Sequence, residues 1–513
     1  MKDRSFLLDK TIFLSLLYMY FCLALQPALA KANPKPPVFL HITGLVVADS
    51  SNSSILHRAR LGYDFKNNYY FIKSMRREYP IHKHITSSIF WIGEEASSAN
   101  GWVSNLSSAW DEDWPKSFGG VDDPVNRKGY WPSSFVPREN PFYAALPYND
   151  FDDQGNRKAD AVDHVYWVNG SQQLTPGRSI VKNRWIKIVK DGKEAYAQWE
   201  DAGPFGEDDW PYVFGNSKPF NKINDSAGID LSPAVRDYLG LKDIDKVEWQ
   251  FVDFDDVPPG PWLFVTSCYG SKWYHPVSES KFYWQLQGDL KKMDYEADIY
   301  DIDLFDTPVG TISELKSKGK RVICYFSAGS SESWREDFAK FNKSDLGKPL
   351  DKWNGERWLD IRSENVRQII LSRLDLAVEK GCDGVEPDNV DGFTNDTGFS
   401  LTYEDQLTFN KFLAQEAHKR GLAIFLKNDL EQALDLVRYF DGLLLESCME
   451  YSECMFAAPF IQSMKPVFDV EYDKSFKDGT HINDKICKDA EKFGIHLMLM
   501  NEELDGSFLL RCP

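Results

Sequence analysis

The stretch GCDGVEPDNVDG, residues 381–392, decides the fold. Gly381 stands where a helix C-cap belongs, a short apolar strand follows, and Glu386, Asp388 and Asp391 crowd the strand's end. Carboxylates so close repel one another and are costly to bury. A folded chain keeps them to bind a cation or to do catalysis, and an acidic surface turn is the plain alternative.

Outward from this segment, short apolar runs alternate with helical ones. The runs are 282–286, 297–305, 321–326, 358–361, 384–387, 423–426, 442–445, 466–470 and 496–500; helical periodicity fills 364–379, 403–420 and 429–439. Such alternation over about 230 residues predicts a (β/α)8 TIM barrel, and no GxGxxG or P-loop supports an open doubly wound sheet. In a barrel the polar chemistry gathers at strand C-terminal ends. The runs end in Gln285, Ser327, Asp360, Glu386 and Asp388, Lys427-Asn428-Asp429, Glu446, Glu471 and Asn501. Two carboxylates in such a mouth point to glycoside hydrolysis, with a hard cation held by several acids as the rival chemistry. Trp284, Tyr325, Trp334, Trp353, Trp358 and Tyr472 are candidate stacking platforms or core residues.

With 513 residues, more than one domain is expected. A net charge of −19 argues against nucleic acid or anionic lipid as partner and favours a neutral or cationic polymer. Lys2, Arg4 and Lys10 precede an apolar run and the ending Ala28-Leu29-Ala30, which predicts a signal peptide cleaved after Ala30. The mature chain is expected to be secreted, periplasmic or cell-surface, without membrane insertion; an uncleaved anchor is the alternative. Cys448 and Cys454 are disulfide candidates, Cys487 and Cys512 a weaker second pair, and Cys324 and Cys382 read as unpaired buried hydrophobes. No metal-ligand spacing stands out, and no cofactor is expected.

The runs VICYFSAG (322–329), WLDIR (358–362), GCDGVEPDNVDG, NDTGF (395–399), AHKRG (417–421) and LKND (426–429) together resemble glycoside hydrolase family 114, the endo-α-1,4-polygalactosaminidases, over 282–512. Glu446-Ser447-Cys448 and Tyr451-Ser452-Glu453-Cys454 are similar to that family's Glu-Gln-Cys…Tyr-x-Glu-Cys segment, with Ser447 replacing the usual glutamine. The resemblance implies mid-chain cleavage of α-1,4-linked galactosamine polymers with retention and without metal, Asp388 being the nucleophile and Glu446 the general acid/base. Lys427 would keep Asp388 charged, and an apolar, aromatic-lined strand end would raise Glu446. Gln285, Tyr325, Asp360, Glu386, Asp391, Lys427, Asn428, Glu471 and Tyr472 would bind the sugar or tune the pair. A non-catalytic polysaccharide-binding protein on a degenerate barrel is the alternative function.

Residues before about 270 lack the alternation. Strands around 185–189 and 194–199 flank a Lys-Asp-Gly-Lys turn, a hairpin pattern. With EDAGP (200–204) and GIDLSPA (228–234), this region resembles the double-psi β-barrel of RlpA-like and expansin-like proteins. That resemblance marks Asp201 and Asp230, although Ala202 replaces the commoner arginine, and implies a glycan-binding or accessory role. Asp230 also reads as the N-cap of a helix over 232–239. Pro258, Pro259 and Pro261 predict a stiff joint. The expected domains are a signal peptide (1–30), a region of unknown role (31–105), a β domain (106–256), a linker (257–280) and the hydrolase barrel (281–513).

Overall fold

The computed structural model describes residues 46–48, 56–64, 69–168, 174–266, 273–290 and 296–512. The expected signal peptide, Cys22 and Cys268 lie outside the described residues. Among the described residues no helix is long and apolar enough to cross a membrane. One compact unit takes in residues 1–48 and 57–75, the other 49–56 and 76–513. Strands Val46–Ala48, Leu56–Asp64 and Tyr69–Glu78 form a three-stranded sheet in that order.

In the C-terminal half, eight parallel strands lie side by side in chain order: Phe282–Gln285, Ile299–Asp303, Arg321–Ser327, Gly384–Asp388, Ala423–Lys427, Gly442–Glu446, Val467–Glu471 and His496–Met500. Phe282 on the first strand stacks on Phe468 of the seventh, with ring centroids 4.4 Å apart, so the sheet curls on itself around an apolar interior. The antiparallel strand Leu509–Arg511 extends the sheet from the eighth strand. Arg511 donates to the Phe282 carbonyl at 2.8 Å, and Leu286 N–H reaches the Leu504 carbonyl at 2.9 Å, so the C-terminal segment fills the seam. The fold is TIM-barrel-like, as the alternation predicts. Helices follow sequence signals: Ser363 caps Glu364–Lys380, which ends at Gly381 with φ 86°, and a Thr402/Asp405 capping box starts Tyr403–Lys419. The expected helix over 429–439 is shorter: a 3-10 turn, Leu430–Gln432, and the helix Ala433–Leu436.

Two sequence expectations fail here. The run 358–361 is not a barrel strand. It contributes to Glu356–Leu359, the centre of a small antiparallel sheet with Ser330–Glu332 and Leu346–Pro349. The helix that follows makes the run look like a β/α unit. Cys324 and Cys382 are also not free hydrophobes, since they form a disulfide, alongside the expected Cys448–Cys454 and Cys487–Cys512. Burial within apolar strands conceals pairing in sequence, because buried free and bridged cysteines share the same flanks.

The N-terminal half folds into a closed six-stranded barrel of His82–Ile89, Tyr143–Leu146, Arg184–Lys190, Lys193–Ala202, Ile229–Leu231 and Ile244–Val252. The expected hairpin joins the third and fourth of these, and two pairs run parallel. The first strand lies upstream of residue 106, so this domain starts earlier than its composition signals. The proline-rich joint is packed rather than a free spacer. Trp262 is buried against Phe142 and Tyr238, and Gly260 N–H donates to Ser463 Oγ at 3.2 Å. Asp255 accepts the Tyr439 hydroxyl at 2.7 Å and the Lys411 ammonium at 3.2 Å, which ties the joint to the second barrel.

Asp201 is buried and Asp230 half-buried in this first barrel. Asp201 Oδ1 accepts the N–H groups of Ala109 and Ala202 at 2.7 and 2.8 Å, and Asp230 accepts the Ser88 hydroxyl. Asp230 is not a helix cap, because Ser232 takes that place for Pro233–Leu239. Burial pushes both carboxyls up to about 7, with the charge of Asp230 adding to the rise at Asp201 and that of Glu94 to the rise at Asp230. Unfolded aspartates release their protons near pH ~4. The folded barrel therefore binds more protons between that pH and about 7, and its stability falls as pH rises through this window. Calorimetric melting is expected to show a lower transition temperature for this barrel at pH 8 than at pH 5. Asp201→Asn with Asp230→Asn should flatten that dependence, and an unchanged slope in the double variant would refute it.

Candidate active site

Three adjacent parallel strands deliver the site. Alternation along a strand sends every second residue inward, and the inward phase is fixed by core residues Phe425, Leu444 and Phe468. Glu386 and Asp388 on the fourth strand, Lys427 on the fifth and Glu446 on the sixth therefore enter the barrel mouth. The Lys427 ammonium lies 3.3 Å from Glu386 Oε1, 3.3 Å from Asp388 Oδ1 and 3.1 Å from Glu446 Oε2. It also sits over the Trp284 ring, 4.6 Å from the centroid. Burial works against its charge, but Asp388, Glu386 and Glu446 outweigh burial and hold its pKa well above the ordinary lysine range. An ammonium thus occupies the centre of the acidic cluster for which the sequence left a hard cation open.

The acids divide by depth. The Asp388 and Glu446 side chains are 20% and 30% exposed, whereas Glu386 and Asp301 are fully buried. Among the described residues no well-formed hydrogen bond reaches the side chain of Glu386 or Asp301, and Glu386 Oε1 meets the Lys427 ammonium only as an ion-pair contact. Burial pushes both well above the usual carboxylate range, with Lys427 opposing and the neighbouring acids adding to the rise. Burial thus favours the neutral forms of Glu386 and Asp301, which leaves the ammonium to Asp388 and Glu446.

Each reachable acid has its own supports. Asp388 accepts the Tyr325 hydroxyl at 3.2 Å and the Asn389 N–H at 2.7 Å. Asn389, in the left-handed region at φ 59°, reaches back to Ser327 Oγ at 2.9 Å. Gly329 lies against the Asn389 carbonyl so closely that a Cβ would fall 1.7 Å from its oxygen. Glu446 accepts the Tyr472 hydroxyl at 2.5 Å, and its N–H donates to Asn428 Oδ1 at 3.0 Å. Glu446 therefore sits between a phenol and an ammonium, not in the apolar pocket expected for it. Asp391 is half-buried beside the pair; burial first and the Asp388 charge next push it up to about 6.

Of the residues singled out in sequence, Tyr325, Glu386, Asp388, Asp391, Lys427, Asn428, Glu446 and Tyr472 converge here. Three do not. Gln285 faces away from the interior and is held by the Tyr283 hydroxyl and the Gln287 carbonyl. Asp360 pairs with Arg362 on the inserted antiparallel sheet. Glu471 is fully buried on the outward face of its strand and accepts Met449 N–H at 2.7 Å. Trp284 is buried beneath Lys427, so it is not a sugar platform, while Trp334 and Trp353 are exposed. Sequence reasoning missed Asp301; its signal was an acid in phase with the apolar Ile299 on a buried strand.

Lys427→Met would leave Asp388 and Glu446 without their shared counter-ion, and urea unfolding at pH 8 is expected to show a loss of about 3–5 kcal/mol. The loss should shrink at pH 5, where carboxylates without the ammonium hold protons more readily. Glu386→Gln mimics a protonated acid and should stay near wild-type stability. A large loss in Glu386→Gln would show that Glu386 is ionised.

A family model described as glycoside-hydrolase family GH114 matches residues 265–512. No curated protein matches the chain. Among solved structures, Aspergillus fumigatus Ega3 in complex with galactosamine is 42% identical, with 47% of this chain and 97% of that one covered and a TM-score of 0.44. The glycoside hydrolase domain of PelA from Pseudomonas aeruginosa is 14% identical, with 45% and 98% covered and a TM-score of 0.36. With 42% identity across nearly all of the Ega3 structure and a family match over the same region, the chain belongs to glycoside-hydrolase family GH114 through residues 265–512 and is a glycoside hydrolase.

Proposed function

We propose that the protein is an exported endo-acting hydrolase of α-1,4-linked galactosamine-type polysaccharide, working by retention with Asp388 as nucleophile and Glu446 as general acid/base. The observation that carries this reading is the shared ammonium. Asp388 Oδ1 and Glu446 Oε2 lie 3.3 and 3.1 Å from one nitrogen, which draws the two carboxyls together as the double displacement of a retaining pair requires. Tyr325 and Asn389 aim Asp388 at the anomeric carbon. Glu446, held by Tyr472 and Asn428 and open to solvent, takes up a proton from water before the bond breaks, gives it to the glycosidic oxygen as the bond breaks, then takes a proton from the water that releases the sugar from Asp388.

The 42%-identical Ega3 was solved with galactosamine, which supports an amino-sugar substrate, and the acid-rich mouth suits a cationic sugar. Three disulfides support export to an oxidising compartment. The closed N-terminal barrel with two parallel strand pairs, a buried and a half-buried aspartate supports the double-psi resemblance and an accessory, glycan-binding role.

Incubation of the full chain with polymeric α-1,4-galactosamine is expected to release oligosaccharides of several lengths. Asp388→Asn and Glu446→Gln should each lower kcat by at least about a thousandfold. Wild-type binding without products would overturn the substrate assignment, and full activity in either variant would overturn the residue assignment.

A further inference from the structure

Past the end of the sixth strand, the backbone after Glu446 continues to be hydrogen-bonded, but in an unusual way. Ser447 N–H donates to the Val470 carbonyl at 2.9 Å, as in an ordinary ladder. The next two N–H groups go to side chains of the seventh strand: Cys448 N–H to Asp469 Oδ1 at 3.2 Å and Met449 N–H to Glu471 Oε1 at 2.7 Å. Both carboxyls are fully buried and stand two residues apart on the same face of the strand Val467–Glu471. Among the described residues, their remaining oxygens, Asp469 Oδ2 and Glu471 Oε2, have no hydrogen-bond partner. Two facing carboxyl oxygens can satisfy each other only if one carries a proton.

We propose that Asp469 and Glu471 share one proton and so form a positioning latch that holds the Cys448–Cys454 loop, and through it Glu446, in the working arrangement.

The surroundings keep that proton in place. Leu445 pairs with Asp469 on one side, Leu497 and Leu499 pair with Asp469 and Glu471 on the other, and the Cys448–Cys454 disulfide closes the loop above. Burial first, and then the charge of Glu471, pushes Asp469 well above the usual carboxylate range, and burial pushes Glu471 above it. The charge of Glu446 adds to the rise at Asp469 and that of Glu450 to the rise at Glu471. Loss of the shared proton would set two adjacent negative charges among leucines, and the loop is the part that can move away. Alkaline conditions thus release the latch.

Asp469→Asn and Glu471→Gln test this, because each amide keeps the N–H acceptor and donates to its neighbour at every pH. The first readout is independent of substrate: reduction of Cys448–Cys454 by dithiothreitol, measured against Cys487–Cys512 in the same full-length protein. In wild type the ratio of the two rates is expected to rise roughly tenfold from neutral to alkaline pH, and in both amide variants to stay flat. A wild-type ratio that does not change with pH, or variants that follow wild type, would overturn the latch. The second readout rests on the proposed function: the alkaline limb of kcat on polymeric galactosamine should move to higher pH in the variants. The expected reduction pattern without polymer cleavage in wild type would sink the substrate assignment and leave the latch standing; an unmoved limb in active variants would show that the loop does not position Glu446.

Discussion

One buried ammonium organises the barrel mouth. Lys427 is wrapped by three carboxyl groups and the face of Trp284, and in that low-dielectric setting neither sign of charge is tolerable alone. The arrangement exists because strands four, five and six are neighbours and parallel, so their last inward residues converge at the same height. Burial of Glu386 and Asp301 disfavours their charged forms, which eases the pairing of Asp388 and Glu446 with Lys427 while both still touch solvent.

Much of this was legible in the sequence, and the failures share a cause. The carboxylate cluster, the strand–helix alternation and the family motifs pointed to Asp388, Glu446, Lys427 and Tyr472. A polar residue at a strand end does not reveal which face of the strand it occupies. Phe468 and Val470 point inward, so Tyr472 reaches Glu446 while Glu471, one residue earlier, faces the outer layer. Gln285 fails for the same reason beside the inward Trp284. Asp360 fails differently: antiparallel pairing of Glu356–Leu359 took its run out of the barrel wall, a long-range choice that local periodicity does not encode. The Cys324–Cys382 bridge likewise depends on the spatial neighbourhood of two strands far apart in sequence.

The two barrels are joined by direct contacts. Trp262 in the core, Gly260 N–H on Ser463 Oγ and the exposed Asp255 against Lys411 and Tyr439 make the stiff joint part of both packing units. The N-terminal barrel carries its own acids, the buried Asp201 and the half-buried Asp230, both pushed up to about 7 chiefly by burial.

The central claim is that an ammonium-bridged pair, Asp388 and Glu446, breaks the glycosidic bond by double displacement. Proton NMR of the first products released from α-1,4-galactosamine polymer reads this directly, before mutarotation mixes the anomers. The account predicts that new reducing ends appear first as the α anomer. Initial appearance of the β anomer would contradict it, because a single displacement by water would then replace attack by Asp388.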